Sequence, residues 1–483
     1  MRDIFLFVIV MGLVPVILMR PWVGVLAWFW SGLMTPHFLT WGFMRTFPIA
    51  AVFGGATLVG LFITKDRRSM PMTREMTMMW MLIAYTAMTS YFAVNPSAWG
   101  FWQHLQKILI ITFITPILVH GRRRIALLLL VITFSIGYYG FKGGIFSIKT
   151  GGSHMVLGPA GSYLEGNTYI GIAMIMVLPL ILASARMFYY RWFDFGSRTI
   201  QRFSKQIGLI SYGTFWLTAL AILVTYSRGA LLGLLSIAPF MFIRMKRKGL
   251  MAIVAILAVT VVGVSAPERL VGRWKTIETH EEDQSAMQRI QAWGVSWNMA
   301  KERPIRGMGF RFASLGYDWW IGYANFEGAW KHVLSPHSIY FSLLGQHGFG
   351  GLAVFLLLVG FTFLTLNRIR RTAERETGER WLSEYAWAMQ MGLIGYMVAG
   401  TFLDVAYFSL FYAFVALAII MRRELEEAPQ ASEKTEASKD SAAPLETKRP
   451  PTPAGPRFPD FVPKPEDLLN QPSPSPSRGF KNR

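Results

Sequence analysis

The sequence predicts an all-α polytopic membrane protein of about twelve transmembrane helices, with one large polar segment between two of them. Of its 483 residues 53% are hydrophobic and only 16% are charged, whereas soluble domains carry roughly 25% charged residues. Apolar runs of roughly 17–25 residues recur along the chain, and each could cross a ~30 Å hydrocarbon core. The apolar pattern stops near residue 266 and resumes after residue 336.

The apolar runs predict the elements in order. They lie near 3–19, 21–35, 47–64, 76–93, 102–119, 124–140, 168–185, 206–225, 229–244, 250–265, 338–365, 384–402 and 406–421. The first two runs are short, so one of them could be re-entrant or interfacial. The count therefore comes to about twelve spans within a membrane domain over residues 1–422.

Charge placement predicts the orientation of these helices. The chain has a net charge of +20, and its basic excess lies in clusters between the apolar runs, at 65–68, 122–124, 244–248 and 368–371. Because cytoplasmic loops are enriched in Lys and Arg, we expect these clusters in the cytoplasm. The 142–167 and 266–336 segments and the turns at Arg228 and Asp404 then share the opposite, extracytoplasmic face. This parity places the C-terminus in the cytoplasm and leaves the N-terminus undecided.

The last sixty residues differ from the rest of the chain. From residue 423 to 483 the apolar periodicity ends, and the segment holds about half of the 25 prolines together with Ser, Lys and Glu. Such a composition buries too little apolar surface to offset the entropy of ordering. We expect a disordered, Pro-rich cytoplasmic tail.

The polar 266–336 segment contains a predicted amphipathic helix. Ser285 followed by Gln288 resembles a capping box, apolar residues follow at helical spacing, and Pro304 lies beyond the expected end. Six tryptophans in the segment favour a position at the membrane interface, although the same rings could stack on sugars. They are residues 274, 293, 297, 319, 320 and 330.

Arginines in and near this segment are candidates for anion binding. Most of them, including Arg289 and Arg311, could simply be solvated or meet lipid phosphates. Arg228 interrupts the long apolar stretch from Ile207 to Ile243, where a charge is costly unless it meets an anion or a cavity. Guanidinium binds phosphate in a bidentate manner. The sequence shows no basic face on a soluble domain, so nucleic-acid binding is not expected.

The 142–167 segment is rich in glycine, which lets a backbone turn sharply or approach a ligand closely. Its glycines do not match a phosphate-binding P-loop, so a soluble nucleotide site is not expected. Its glycine-rich composition is equally typical of a structural loop.

His337 follows Pro336 at the point where the next helix is expected to begin, because proline disfavours helical geometry in the preceding residue. An isolated histidine is usually structural, but imidazole is well suited to accept a proton near neutral pH. The sequence offers no paired carboxylates, no metal-ligand spacing and no cysteine. Disulfides, thiolate metal ligation and carboxylate-pair glycoside hydrolysis are therefore not expected.

Four motifs resemble the O-antigen ligase-like superfamily, which includes lipopolysaccharide O-antigen ligases and related polymerases. The motifs are Tyr226-Ser227-Arg228-Gly229-Ala230, Ser285-Ala286-Met287-Gln288-Arg289, Pro304-Ile305-Arg306-Gly307-Met308-Gly309-Phe310 and Pro336-His337-Ser338-Ile339-Tyr340, the last continuing into Leu343-Leu344-Gly345-Gln346-His347-Gly348. The N-terminal third, with Arg20-Pro21-Trp22 and Thr40-Trp41-Gly42-Phe43, resembles an exosortase-associated branch of O-glycosylation ligases.

The resemblance implies a GT-C-like architecture and transfer of a glycan from undecaprenyl diphosphate to lipid A–core oligosaccharide at the periplasmic face of the bacterial inner membrane. It implies that His337 is the general base and that Arg228 and Arg289 hold the diphosphate, with Lys142 and Arg311 as further diphosphate-binding residues. Asn167, Tyr226 and His332 are candidates for lining the site. The resemblance also implies inversion at the anomeric carbon, without a metal or another cofactor.

Alternative functions remain open at this point. A polymerase would use a second lipid-linked glycan as acceptor, and a protein O-glycosylation ligase would use Ser or Thr. A transporter or flippase for the lipid-linked glycan would predict repeated halves and polar residues at mid-membrane depth. The sequence contains no evident repeat, and its polar residues gather on one predicted face, which favours an enzyme.

Overall fold

The structure is a computed structural model that describes residues 1–245, 249, 284–326, 331–375 and 377–441. Within these ranges every long element is a helix, which confirms the predicted all-α fold there. The helices are α1 (Arg2–Met19), α2 (Pro21–Met34), α3 (Ile49–Ile63), α4 (Arg74–Tyr91), α5 (Ala98–Leu118), α6 (Arg122–Lys149), α7 (Gly166–Tyr189), α8 (Arg198–Val224), α9 (Arg228–Ile243), α10 (Gln284–Glu302), α11 (Tyr317–Ile321), α12 (Ile339–Arg375), α13 (Arg380–Ala399) and α14 (Ser409–Ser441).

Five of the described helices are long and apolar enough to cross a membrane, namely α1, α6, α7, α8 and α12. The apolar helices α3 and α9 are shorter. The predicted span at 250–265 lies outside the described residues, and so does the first part of the polar segment. The total of about twelve spans therefore stays a prediction.

Residues 1–430 form one compact unit, whose core is built around α7, α13 and the first part of α14. These helices are apolar around almost their whole circumference and are buried accordingly, as expected for helices surrounded by other helices. α13 packs against α7, α9 and α12, and α10 packs against α12. α1 contacts α2 and α3 in a separate apolar cluster at the periphery.

Helix α6 is longer than predicted, because the expected loop beginning at Lys142 is helical as far as Lys149. The glycines that suggested a loop let α6 approach α8 closely. A Cβ on Gly140 would lie 2.2 Å from the Thr218 hydroxyl, and one on Gly144 would lie 2.4 Å from the Leu217 carbonyl. Small residues commonly allow such contacts between membrane helices.

Two predicted boundaries near the polar elements also differ from the structure. α10 begins at Gln284, so Ser285 lies inside the helix rather than at its N-cap, and α10 ends at Glu302, before Pro304 as predicted. α14 continues past the predicted start of the tail at residue 423 as far as Ser441. Two i,i+4 ion pairs, Arg422–Glu426 and Arg423–Glu427, support this extension. The predicted disorder of residues 442–483 lies outside the described residues.

The segment after α10 docks onto a kink in α12. Gly348 has a φ of +65° inside that helix, which frees the carbonyls of the preceding turn. The Met308 and Gly309 amides donate to the Gly345 and Gln346 carbonyls at 2.9 and 2.8 Å, and the Phe349 amide donates to the Pro304 carbonyl. The two glycine-containing motifs therefore bind each other through backbone hydrogen bonds.

One end of the bundle gathers the loops that the sequence assigns to the extracytoplasmic side, and we call it the site end. It comprises residues 35–48, 150–165, 225–228 and 400–408. Arg45 donates to the Ala160 carbonyl, and Asp3 accepts from the Gly42 and Met44 amides. Asp3 therefore lies at the site end.

The opposite end, which we call the basic end, holds the predicted cytoplasmic clusters at 65–68, 122–124 and 368–371 and the described part, 244–245, of the fourth cluster. Its ion pairs connect positions distant in sequence, in loops and at helix ends: Asp66–Arg124, Arg122–Glu379, Arg68–Glu427 and Arg186–Glu384. The structure therefore groups the described loops at the two ends of the bundle in the same way as the charge placement predicts.

Candidate functional site

The turn before α12 carries the candidate base. α12 begins at Ile339, two residues after His337, as the proline predicted. His337 has a φ of +44°, in the left-handed region that costs a non-glycine residue roughly 1–2 kcal/mol. Such a conformation persists only where neighbouring contacts hold it.

Trp293 on α10 supplies contacts of this kind. Its indole Nε1–H donates to the Pro336 carbonyl at 2.7 Å, directly before the strained residue. The same ring stacks on Phe341 in the first turn of α12, with centroids 5.0 Å apart and planes 8° apart. It also approaches Phe402 in the 3-10 turn Gly400–Phe402, at 6.4 Å.

The side chain of His337 opens onto a cavity of about 340 Å³. Two walls form this cavity: α10 on one side, and the strand-like approach to α12 on the other. The lining residues are Gln288, Arg289, His332, Val333, Leu334, Ser335 and His337. A guanidinium, an amide, a hydroxyl and two imidazoles thus surround a space large enough for a small polar group.

The surroundings of His337 favour the neutral form of its imidazole. Desolvation by the surrounding protein, followed by the positive charge of Arg289, lowers the pKa of the His337 imidazole below its ordinary value of 6.5. Desolvation and a nearby like charge both disfavour the protonated ring. Because the residue keeps more than a third of its surface exposed, the imidazole is accessible to a substrate.

Arg228 occupies the first position of α9 at the site end. Ser227 caps this helix through a hydrogen bond from the Ala230 amide. A positive side chain beside the positive end of a helix dipole is unfavourable alone. An anion bound there would interact with both the guanidinium and the helix N-terminus.

Asn167 and Tyr226, predicted to line the site, form hydrogen bonds around the turn that carries Arg228. The Asn167 amide donates to the Thr225 carbonyl at 3.0 Å. The Tyr226 hydroxyl donates to the Gly152 carbonyl at 2.6 Å, and Tyr226 has a φ of +52°. Each side chain therefore donates one hydrogen bond to a backbone carbonyl, Asn167 within the turn and Tyr226 in the glycine-rich segment.

A series of packing contacts connects the turn at Arg228 with the region around His337. Gly229 lies against Ala399 and Phe402, and Gly400 lies against Ile339. Phe402 in turn approaches Trp293. Arg228 itself is not among the residues lining the cavity.

Lys142 and Arg311 lie apart from the lining residues. Lys142 is exposed on α6. Arg311 is exposed, has a φ of +59°, and its carbonyl accepts a hydrogen bond from Asn95 at 2.9 Å. Among the predicted residues, the structure therefore groups His337, Arg289 and His332 in one cavity.

Sequence reasoning missed the role of Trp293, which was grouped with the interfacial tryptophans. Its ring is partly buried against protein, whereas Trp297, one turn later, is 46% exposed. Trp274 and Trp330 lie outside the described residues. The available signal was the i,i+4 spacing of Arg289 and Trp293, which places both on one face of α10.

His347 likewise has a structural role. Its Nδ1 lies 2.6 Å from the Thr89 hydroxyl and its Nε2 lies 2.6 Å from the Tyr407 hydroxyl. Phe310 from the docked segment packs edge-on against the ring at 4.6 Å. This histidine joins α4, α12 and the docked segment, and its ring is fully buried.

The fold and the site define an all-helical membrane protein with a polar, cationic cavity at one end of its bundle. Residues 213–356 match the family described as O-antigen ligase, and these residues include Arg228, Arg289 and His337. This part of the chain is thus similar to the O-antigen ligase-like superfamily. Residues 1–189 match a family of unknown function, DUF5935. A comparison with curated proteins finds no match.

The family supports ligase-type glycosyltransferase activity in general. It also implies lipid-linked glycan and lipid partners in general. These statements agree with a membrane-embedded enzyme whose site opens at one end of the helical bundle.

Proposed function

We propose that this protein is an O-antigen ligase that transfers a glycan from undecaprenyl diphosphate to the lipid A–core oligosaccharide. The observation that carries the proposal is the shared cavity of His337 and Arg289. A neutral imidazole and a permanent cation next to each other are suited to a reaction that removes a proton while negative charge builds on a leaving diphosphate.

In the proposed step, a hydroxyl oxygen of the acceptor sugar attacks the anomeric carbon of the donor glycan. The new glycosidic bond forms as the bond between that carbon and the diphosphate oxygen breaks. His337 takes the hydroxyl proton, and undecaprenyl diphosphate leaves with the bonding electrons. Attack opposite the leaving group inverts the configuration at the anomeric carbon.

The arginines would bind the diphosphate before and after this step. Arg289 lies in the same cavity as His337, and Arg228 adds a guanidinium at a helix N-terminus of the same end. Guanidinium groups keep their charge at all relevant pH values, so they can stabilise the leaving group without a metal. Lys142 and Arg311 are exposed and, as cations, would attract the anionic donor as it approaches.

The proposed location follows from the two ends of the bundle. The basic end would face the cytoplasm under the positive-inside rule. The site end, with the cavity, would then face the periplasm, where an acceptor attached to lipid A could reach it. His332, Gln288 and Ser335 would contact sugar hydroxyls at the rim of the cavity.

The proposal is tested with the full-length protein reconstituted in liposomes and supplied with undecaprenyl-diphosphate-linked oligosaccharide and lipid A–core. We expect wild-type protein to form glycosylated lipid A–core in EDTA, and His337→Ala and Arg228→Ala to lose most of this product. Abolition by EDTA would contradict the metal-free mechanism. Full ligation by His337→Ala would contradict the assignment of the base.

The same assay separates the ligase from its alternatives. Elongation of the lipid-linked oligosaccharide without lipid A–core product would identify a polymerase. Glycosylation of an added Ser/Thr peptide would identify a protein O-glycosylation ligase. Movement of the donor across the bilayer without any new glycosidic bond would identify a flippase.

A further inference from the structure

We propose that Trp293 is a positioning residue for His337, holding the Pro336–His337 turn against α10 through its indole N–H and its ring face. This inference rests on the proposed function only for its effect on catalysis, because the contacts of Trp293 are present in the protein without substrate. Trp293 touches no reacting atom in the proposed step and acts through the turn.

The first argument is the place of the hydrogen bond. The acceptor is the Pro336 carbonyl, 2.7 Å from Nε1, which belongs to the peptide unit leading into His337. This peptide plane sets the φ angle of His337, so a donor that fixes the plane opposes relaxation of the +44° conformation. Proline has no amide hydrogen of its own, so this carbonyl is the only hydrogen-bonding group of residue 336.

The second argument is the packing of the ring. Trp293 stacks almost parallel on Phe341, which is four residues after His337 and on the first turn of α12. An offset stack of this kind contributes about 0.5–1.5 kcal/mol beyond area burial. Trp293 therefore contacts the turn on both sides of His337: through the hydrogen bond to Pro336 before it and through stacking on Phe341 after it.

The third argument is the geometry of α10. Arg289 and Trp293 are separated by one helical turn on the same face, so fixing Trp293 against the His337 turn also sets where the Arg289 charge lies relative to the imidazole. The charged or titratable side chains on the surrounding elements are Arg289 on α10, His332 on the adjoining segment and Asp404 in the turn that follows Gly400–Phe402. Phe402 extends the aromatic contact toward Gly229 and the Arg228 turn.

The test is a direct titration of His337 in the full-length protein in detergent micelles, using histidine labelled with ¹³C at the ring Cε1. The chain has eight histidines, and the His337 signal is assigned by its absence in His337→Gln. Titration between about pH 5 and 8 covers the range of an imidazole. Wild-type protein should titrate below 6.5.

The decisive variant is Trp293→Phe, which keeps an aromatic ring and removes the N–H donor. We expect the His337 pKa to move upward toward 6.5, because the freed turn exposes the ring and moves it away from Arg289. The matched control is Trp297→Phe, the same substitution one turn later on α10, at an exposed ring that contacts Phe349 edge-on. It should leave the titration unchanged.

A second variant, Phe341→Leu, keeps the indole donor and removes the stacking partner. We expect a smaller upward shift than in Trp293→Phe, and this variant decides the question if Trp293→Phe does not fold. Titrations of Trp293→Phe and Phe341→Leu identical to wild type would overturn the proposal. Equal shifts in Trp293→Phe and Trp297→Phe would also overturn it, since they would indicate a general loosening of α10.

The effect of Trp293→Phe on catalysis is measured in a separate assay. With undecaprenyl-diphosphate-linked oligosaccharide and lipid A–core, Trp293→Phe should lower kcat about tenfold and leave the KM for the donor near its wild-type value. If the wild-type protein forms no product, the proposed function fails while the titration still decides the role of Trp293. If product forms and kcat is unchanged in Trp293→Phe, the positioning role is contradicted.

Discussion

At the scale of single residues, the charge of Arg289 affects the pKa of His337, and this pKa sets the pH range in which the proposed base is active. A neutral imidazole accepts a proton, so a base is active above its pKa and loses activity as the pH falls through that value. Because desolvation and Arg289 lower the His337 pKa, the proposed base stays active somewhat below pH 6.5. An unperturbed histidine would already be half protonated there.

Substitution of Arg289 by glutamine should raise the pKa of His337, because it removes the like charge that disfavours the imidazolium. The labelled-histidine titration measures the shift, and Arg289→Lys is the matched control because it keeps a positive charge. The shift should be clear in the glutamine variant and small in the lysine variant. A His337 titration unchanged by Arg289→Gln would mean that the charge does not act on the ring.

The sequence could identify His337 and Arg289 but could not show how they are held. Pro336 marked the start of the helix, and the resemblance to the ligase family singled out Arg289. The left-handed φ of His337 and the hydrogen bond from Trp293 depend on the approach of α10 to α12, which no local pattern encodes. Asn167 and Tyr226 were predicted to line the site, but the sequence could not show that each donates a hydrogen bond to a backbone carbonyl.

At the scale of elements, the kink in α12 anchors the segment that follows α10. Gly348→Ala should destabilise the protein by more than about 1 kcal/mol, because the backbone conformation disfavours a side chain and the new Cβ would lie 2.3 Å from the Pro304 carbonyl oxygen. Thermal unfolding in detergent measures this effect as a lower midpoint.

Gly360→Ala is the control within the same helix. A Cβ on Gly360 meets no heavy atom within 4 Å, and alanine favours a helical interior over glycine. The midpoint should stay unchanged or rise slightly. Equal midpoints for the two variants would contradict the anchoring role of the kink.

Element boundaries show where sequence reasoning reaches its limit. Each apolar run in the described part of the chain falls on a helix, because crossing a membrane imposes length and hydropathy on the chain. However, α6, α8, α12 and α14 each extend well beyond one predicted end. The glycines of α6 were read as a loop, although they serve close packing against α8. That distinction requires knowledge of the neighbouring helix, since glycine permits both a turn and a close approach.

At the scale of the whole molecule, the two ends of the bundle give a testable topology. The chain has no cysteine, so each introduced cysteine is unique. Trp41 and Leu157 are 80% and 61% exposed at the site end, and Lys65 and Arg123 are exposed at the basic end. A membrane-impermeant maleimide applied to spheroplasts should label Trp41→Cys and Leu157→Cys.

Under the same conditions, Lys65→Cys and Arg123→Cys should react only after the membrane is permeabilised. Unfolded protein is excluded as an explanation by selecting variants that retain wild-type expression and thermal midpoint. Labelling of Trp41→Cys and Leu157→Cys from opposite sides would contradict the common site end. Labelling of all four from the outside would contradict the orientation.

The measurement that tests the central claim most directly is the pH dependence of kcat/KM for glycan transfer from undecaprenyl diphosphate to lipid A–core, compared between wild type and His337→Gln. A general base contributes typically ~10²–10⁴-fold to a rate. Wild-type protein should therefore show an acidic limb with a pKa below 6.5, and His337→Gln should be at least ~100-fold slower and lack that limb. Transfer by His337→Gln at the wild-type rate, or with the same acidic limb, would contradict the assignment of His337 as the base.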